Sequence, residues 1–482
     1  MNISRTPKYL FENDILQFES LINDFTDTIY DEFDAISKEL EVKQKIDDLF
    51  EGELVNYTEN RAATHPYERK RHKLYHFGPG YPGYFLEQNA KERALFQFAR
   101  KINFEATPTW LESWLLPYKK VNLITLGIGG SYEGPKLLKE SMSSKWISEK
   151  IEHHFITGSD KKEFDSKIEK LDPKKTFFIV FSKSFLTQET IELFKEAITW
   201  SKDHDKFLFI TSNPDEVKKY ECFGKRFDEN PMENSIYTFD ETIGGRYSIW
   251  LDIISNIYGD RNFIEGGRRA DQHLIDSSDY LNFVKRLSYT DIWNHNTKEK
   301  NVRAVLSYVW TFRSFPDYIQ QLEMEALGKH ANPSSQFKKT GQVVFGGYGP
   351  TAQHSYFQLL HQGTNEICAD IIASSEDKKS LPYAQAITQS KLLAYGEEDK
   401  EFDNPYAAKL AERSGDIFKI NGNVPVNLFL LNKTDPFTLG YLIATWEHRT
   451  FITACMLGIN PFDQFGVSAG KIYTKKYLDN KD

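Results

Sequence analysis

Cysteine is scarce. The chain has three in 482 residues, Cys222, Cys368 and Cys455, far apart and with no CxxC pair. That excludes a disulfide framework and a zinc ribbon and fits a reducing compartment. Basic residues are in deficit, 60 Lys and Arg against 69 Asp and Glu, for a formal net charge of -9. Such a balance argues against a general nucleic-acid or anionic-membrane surface. It leaves room for a small anionic ligand, because a few local donors outweigh the global field. No apolar stretch approaches the ~18 residues of a membrane span, and runs such as Phe177 to Phe181 have the length of buried strands. The opening MNISRTPKYLFENDILQF lacks an apolar core between a basic start and a small-residue cleavage site, so no signal peptide is expected. There is no Pro/Gly/Ser-rich linker, low-complexity tract or short-period repeat. The expectation is a cytoplasmic protein without nucleic-acid or membrane partners.

Hydrophobic residues make up 40% of the chain, with 36 Phe and 25 Tyr, enough for well-packed layers. At roughly 150 residues per domain the length suggests about three units, or two large domains with arms. Residues 1 to about 115 read as helical and charged. From Val121 the pattern alternates: the apolar run VNLITL ends in glycines, GPKLLKESM is helical, KTFFIVF is a second run, IELFKEAITW a second helix and KFLFITS a third run. Strand, polar loop, helix, strand is the mark of a doubly wound parallel sheet, whose ligands sit in loops at the carboxyl ends of strands. The second half repeats the theme. VRAVLSYVW and its continuation read as helix, QVVFGG as strand, AQHSYFQLLHQ as helix, VNLFLLN as strand and about Thr438 to Leu457 as helix, with a short tail beyond.

Six clusters carry potential chemistry. Gly127-Ile128-Gly129-Gly130-Ser131 ends a strand, where glycines let backbone approach a ligand and a helix start favours phosphate. It is no dinucleotide fingerprint, because Tyr132 stands where GxGxxG requires glycine. A plain strand–helix turn explains it equally well. Ser182-Lys183-Ser184-Phe185-Leu186-Thr187 supplies three hydroxyls and backbone donors at a helix start, a neutral phosphate cradle; ordinary N-capping is the rival. Gly245-Arg246, just ahead of SIWLDIISNIYG, which reads as helix, could meet an anionic oxygen, although most arginines make surface ion pairs. Gln321 and Glu325 share a helical face, and Glu325 could be a base or a solvated carboxylate. His354 and His361 sit seven apart, about 10 Å along a helix, too far to share one ion. No metal is expected. Gln464 leads to Lys471 near the C-terminus, where a lysine is ordinarily solvated.

In this order the motifs GIGGS, SKSFLTQET, IGGRYS, QLEMEALGK, QHSYFQLLHQGT and NPFDQFGV…K resemble the glucose-6-phosphate isomerase (phosphoglucose isomerase) family, from about residue 50 to 475. LVNYTENRAATHP is similar to its N-terminal segment. The resemblance implies an α/β fold of two sugar-isomerase-type (SIS) doubly wound domains with helical arms. It divides the chain into an arm at 1–115, a phosphate-binding domain at 116–290, a domain carrying the Glu and His groups at 291–455, and a C-terminal segment at 456–482. It implies an aldose–ketose isomerase of glycolysis and gluconeogenesis, acting on a hexose 6-phosphate through a cis-enediol without a cofactor. By the same resemblance, Gly130, Ser131, Ser182, Lys183, Ser184, Thr187 and Gly245 hold substrate, with Gln321 and Gln464. Glu325 is the base, His354 opens the ring, Glu189 orients His354, Arg246 stabilises the reacting oxygens and Lys471 lies near the ring oxygen. It also implies a homodimer with shared active sites, His354 reaching the site from the partner subunit. The chain departs from the family pattern at Ser184, where threonine is common, at Gly347, which replaces a loop glutamate, and at Ser468, which replaces a glutamate. A non-catalytic sugar-phosphate sensor built from the same domains is the alternative; it would need the cradle but not Glu325, Arg246 and Lys471.

Overall fold

The computed structural model describes residues 8–22, 24–74, 120–142, 151–220, 236–396 and 420–479. Strands β1 (Tyr9–Glu12) and β2 (Leu16–Ser20) come first, followed by β3 (Val121–Leu126), β4 (Ile151–Ile156), β5 (Thr176–Phe181), β6 (Phe207–Thr211) and β7 (Ile236–Thr238). The later strands are β8 (Val302–Ser307), β9 (Val343–Tyr348), β10 (Ile367–Ser374) and β11 (Val426–Leu431). The helices that bear on function are α1 (Gly130–Met142), α2 (Gln188–Ser201), α3 (Ser278–Asn296), α4 (Phe315–Leu327), α5 (Pro436–Leu457) and α6 (Phe465–Asp479). The chain forms two compact units, one of Thr64–Glu265 and one of Met1–Ala63 with Gly266–Asp482.

In the Thr64–Glu265 unit five parallel strands lie in the order β4-β3-β5-β6-β7. Apolar side chains on both faces explain why the runs look continuous rather than alternating: every residue of β5, TFFIVF, and of β6, FLFIT, is buried. Phe178 stacks on Phe207 at 4.8 Å between ring centroids, and Phe194 packs edge-on to Phe209 at 5.4 Å. From β3 the chain crosses to β4 on one side and then returns to β5 on the other. The gap between the carboxyl ends of β3 and β5 is therefore the topological switch point, where open α/β sheets bind ligands.

The other unit has six strands ordered β1-β2-β11-β10-β8-β9. Its parallel core, β8 to β11, bears out the expected doubly wound α/β class. Several local expectations need correction. Residues 9–20 are not helical: β1 and β2 form an antiparallel hairpin that adds β2 to the edge of β11. VRAVLS is strand β8, not helix, because a strand buried on both faces shows no period for either structure. Strand β10 has no counterpart in the sequence pattern, since Asp370 interrupts its apolar run. AQHSYFQLLHQ is two short helices, Gly349–Ala352 and Phe357–Gln362, broken at His354. SIWLDIISNIYG is a 3-10 turn, Gly245–Trp250, followed by helix Asp252–Tyr258. The C-terminal tail is the 15-residue helix α6. The part of the expected N-terminal arm at 75–115 lies outside the described residues.

Asp370 belongs to a buried ion network. Arg449, on α5, makes a two-pronged contact to Asp291 of α3 at 2.6 Å for each nitrogen and reaches Asp370 at 2.9 Å. Arg303 of β8 contacts Asp291 at 2.5 Å and also pairs with Glu323 of α4. The indole Nε1 of Trp446 donates to Glu323 at 2.9 Å. Burial alone would raise the Asp291 carboxyl, but the Arg303 and Arg449 guanidiniums outweigh it and hold it below its usual range. Five charges from five elements thus fix α4 against α3, α5 and the sheet. Cys368 and Cys455 are buried free thiols, pushed up to about 12 chiefly by burial; Cys222 lies outside the described residues.

Candidate active site

Three of the singled-out loops meet at the switch point of the Thr64–Glu265 unit. The first leaves β3 through Gly129, whose φ of 60° is the left-handed conformation that glycine adopts without penalty. Gly130 then enters α1 pressed against the Gly245 turn: a Cβ there would lie 2.1 Å from the Gly245 carbonyl oxygen and 2.8 Å from the Arg246 nitrogen. Ser248 fastens the two loops, its Oγ donating to Gly245 O at 2.7 Å and lying 3.4 Å from Gly130 O. Gly130–Ser131 and Gly245–Arg246, more than a hundred residues apart in sequence, are one surface. Arg246 is 2% exposed and Ser131 9%, so the guanidinium is not the ordinary surface ion-pairing group.

The second loop leaves β5. Phe185 has φ of 51°, costly for a non-glycine residue, of order 1–3 kcal/mol. It is held there by its ring, which packs on Phe194, Phe209 and Tyr220 at centroid distances of 5.7–6.0 Å. The loop is braced from the end of β6: the Lys183 carbonyl accepts from Thr211 Oγ1 at 2.9 Å and from Ser212 Oγ at 2.8 Å, and Asn213 Nδ2 donates to Ser184 O. The carbonyls of Lys183 and Ser184 are thus occupied from behind the loop. Thr187 is the N-cap of α2, yet its side chain makes no capping bond. Ser182 is buried, and its Oγ has no hydrogen-bond partner among the described residues. Ser184 Oγ accepts from Leu186 N at 3.2 Å. Glu189 lies half-buried in the first turn of α2. Simple capping therefore does not account for the Ser182 and Thr187 hydroxyls.

In the other unit, Gln321 and Glu325 share a face of α4 as expected, with Gln321 Nε2 donating to Glu325 Oε1 at 3.1 Å. Glu325 and Gln464 line one cleft of about 910 Å³, together with Met324, Lys329, Asn460 and Asp463. Lys471 is exposed on α6, seven residues beyond Gln464. His354 is exposed in the turn between the two short helices. His361 does not share a helix with it, and its Nε2 lies 2.8 Å from Gln389 Oε1. No group of three or more His, Cys, Asp or Glu side chains among the described residues could hold a metal ion. No helix among them is long and apolar enough to cross a membrane. Sequence reasoning missed Lys329, Asp463 and Thr58, whose contacts bind the walls of the cleft; the only sequence signal was Asp463 beside Gln464 in NPFDQFGV.

The sequence profile described as phosphoglucose isomerase matches residues 21–482. The chain belongs to the phosphoglucose isomerase family. Family membership makes it an isomerase. It is 30% identical over 508 aligned residues to the glucose-6-phosphate isomerase of Pseudoalteromonas atlantica, covering 99% of this chain and 89% of that one. It is 31% identical to the glucose-6-phosphate isomerase of Legionella pneumophila strain Paris, covering 92% and 85%. The fold is shared with the crystal structure of a glucose-6-phosphate isomerase from Chlamydia trachomatis, with a TM-score of 0.75, 21% identity and coverage of 98% and 90%. It is shared more distantly with a hypothetical protein from Thermus thermophilus, with a TM-score of 0.58, 19% identity and coverage of 86% and 94%.

Proposed function

We propose that this chain interconverts glucose 6-phosphate and fructose 6-phosphate through ring opening and a cis-enediol. The observation that carries the reading is the convergence of hydroxyl-bearing loops at a sheet switch point in a chain of this family. Ser131, Ser182, Ser184 and Thr187, with the Lys183 backbone, grip the phosphate, which lies remote from the reacting carbons. Its binding energy orients the sugar. His354, contributed by the partner subunit and oriented by Glu189, protonates the ring oxygen and takes the C1 hydroxyl proton, with Lys471 beside the ring oxygen. Glu325 removes the C2 proton of the open-chain aldose and returns it to C1. Arg246 offsets the negative charge that develops on the oxygens. Gln321 holds the Glu325 carboxylate from one turn earlier in α4. Glu325 removes a proton, not a hydride, and no electron leaves the sugar, so the scheme requires no redox cofactor.

The test is a coupled assay that supplies fructose 6-phosphate and reads glucose 6-phosphate, with EDTA present and mannose 6-phosphate as the comparison substrate. Turnover with EDTA supports the proposal. A chain that binds fructose 6-phosphate without converting it is the non-catalytic sensor.

A further inference from the structure

None of the residues of helix α6, which carries Lys471, is buried by the described residues. The helix leaves the rest of its unit from a fixed root. That root is Asp463, 4% exposed, with both carboxylate oxygens occupied. Oδ1 accepts from Lys329 Nζ at 2.8 Å and Oδ2 from Thr58 Oγ1 at 2.7 Å; Lys329 Nζ also donates to the Asp463 carbonyl. Asn460 Nδ2 donates to Asn56 Oδ1 at 2.8 Å and to Thr58 Oγ1 at 2.6 Å, tying the same early segment to the same loop. The Gln464 carbonyl then accepts from Val467 N and Ser468 N at 3.1 and 3.2 Å, which starts the first turn of α6. Lys329, at the other end of the clamp, lies just past Gly328, the C-cap of α4, and four residues after Glu325.

We infer that Asp463, clamped by Lys329 and Thr58, is a positioning residue that sets the helix bearing Lys471 and the loop bearing Gln464 against the helix bearing Glu325. This deepens the isomerase proposal and rests on it. The Lys329–Asp463 pair fixes the backbone at both ends: the ammonium follows the α4 cap directly, and it grips side chain and carbonyl of the residue before Gln464. The pair is little exposed, 15% and 6% for the two side chains, so solvent does not screen it as it would a surface pair. Loosening it leaves the phosphate loops of the other unit untouched and misplaces groups around the reacting carbons. Its loss belongs in kcat rather than in KM.

The experiment compares Asp463→Asn, Lys329→Met and Lys329→Arg in the full chain. Lys285→Met serves as a control; it removes a comparable Lys–Asp pair with Asp34, at 2.8 Å and with side-chain exposures of 10% and 18%, away from the cleft. Asp463→Asn and Lys329→Met should lower kcat about 10- to 100-fold with KM within about threefold. Lys329→Arg should recover much of that loss, and Lys285→Met should leave kcat unchanged. Amide exchange should quicken in both 324–330 and 462–470 in either of the first two variants. A kcat within twofold of wild type for both, a loss matched by Lys285→Met, or exchange that quickens in one segment alone overturns the inference. A wild-type chain without isomerase activity defeats the functional reading instead, and the paired exchange result then decides whether the clamp exists.

Discussion

Thr187 and Ser182 show most plainly how single residues depart from structural duty. A threonine at an N-cap ordinarily spends its oxygen on the helix, and a buried serine ordinarily finds a carbonyl. Here Thr187 does not cap α2, and Ser182 Oγ has no partner among the described residues. Thr187→Ala and Ser184→Ala should therefore raise KM for glucose 6-phosphate well beyond any effect on thermal unfolding, as measured by steady-state kinetics beside a melting curve. Unchanged KM in both would remove the phosphate cradle. Gly130→Ala should be more severe, because its Cβ meets backbone rather than a yielding side chain, 2.1 Å from Gly245 O. Residue-level chemistry was legible because each motif is local: a helix start, a run of hydroxyls, a Gln and Glu one turn apart. Lys329 and Asp463 were not, since their significance lies in a contact spanning 134 residues that no spacing announces.

At the scale of elements, buried strands whose runs hold no charged residue, β3, β5, β6 and β11, read correctly, and strands that carry a charge inward did not. β8 and β10 carry Arg303 and Asp370 inward to the ion network, so their charges look like surface signals in one dimension. β1 and β2 are short strands whose existence depends on an edge, β11, more than four hundred residues away. The network predicts its own energetics. Glu323→Ala leaves Arg303 short of a buried partner and should cost about 3–5 kcal/mol of unfolding free energy, measurable by urea titration. Because Asp291 titrates lower folded than unfolded, its contribution is present at neutral pH and is lost as pH falls through and below the ordinary aspartate range near ~3.9. Asp291→Asn should be less stable at pH 7 yet lose less between pH 7 and pH 3 than the wild type does, by the same titration. An identical slope in the two proteins would show that Asp291 is not held down by its arginines.

For the whole molecule, the decisive expectation is that the site is shared between subunits. Neither Glu325→Gln nor His354→Gln should be active alone. If the imidazole comes from the partner, unfolding and refolding the two together in equal amounts should restore about a quarter of wild-type turnover: half the dimers are mixed, and each mixed dimer has one intact site of two. No recovery would place both groups on one chain. The doubly wound class was readable from alternation alone, but subunit arrangement is not written in any periodicity.

The central claim is that Glu325 moves a proton between C1 and C2, and one measurement meets it directly. Fructose 6-phosphate is incubated in D2O with the wild-type chain and with Glu325→Gln, and product and label are followed by NMR. The account predicts that any deuterium entering the wild-type glucose 6-phosphate sits at C2, the carbon that Glu325 reprotonates, and that kcat is at least about 10²-fold lower for Glu325→Gln with KM little changed. Deuterium in the wild-type product at a carbon other than C2, or a variant that keeps more than about a tenth of the rate, would contradict it.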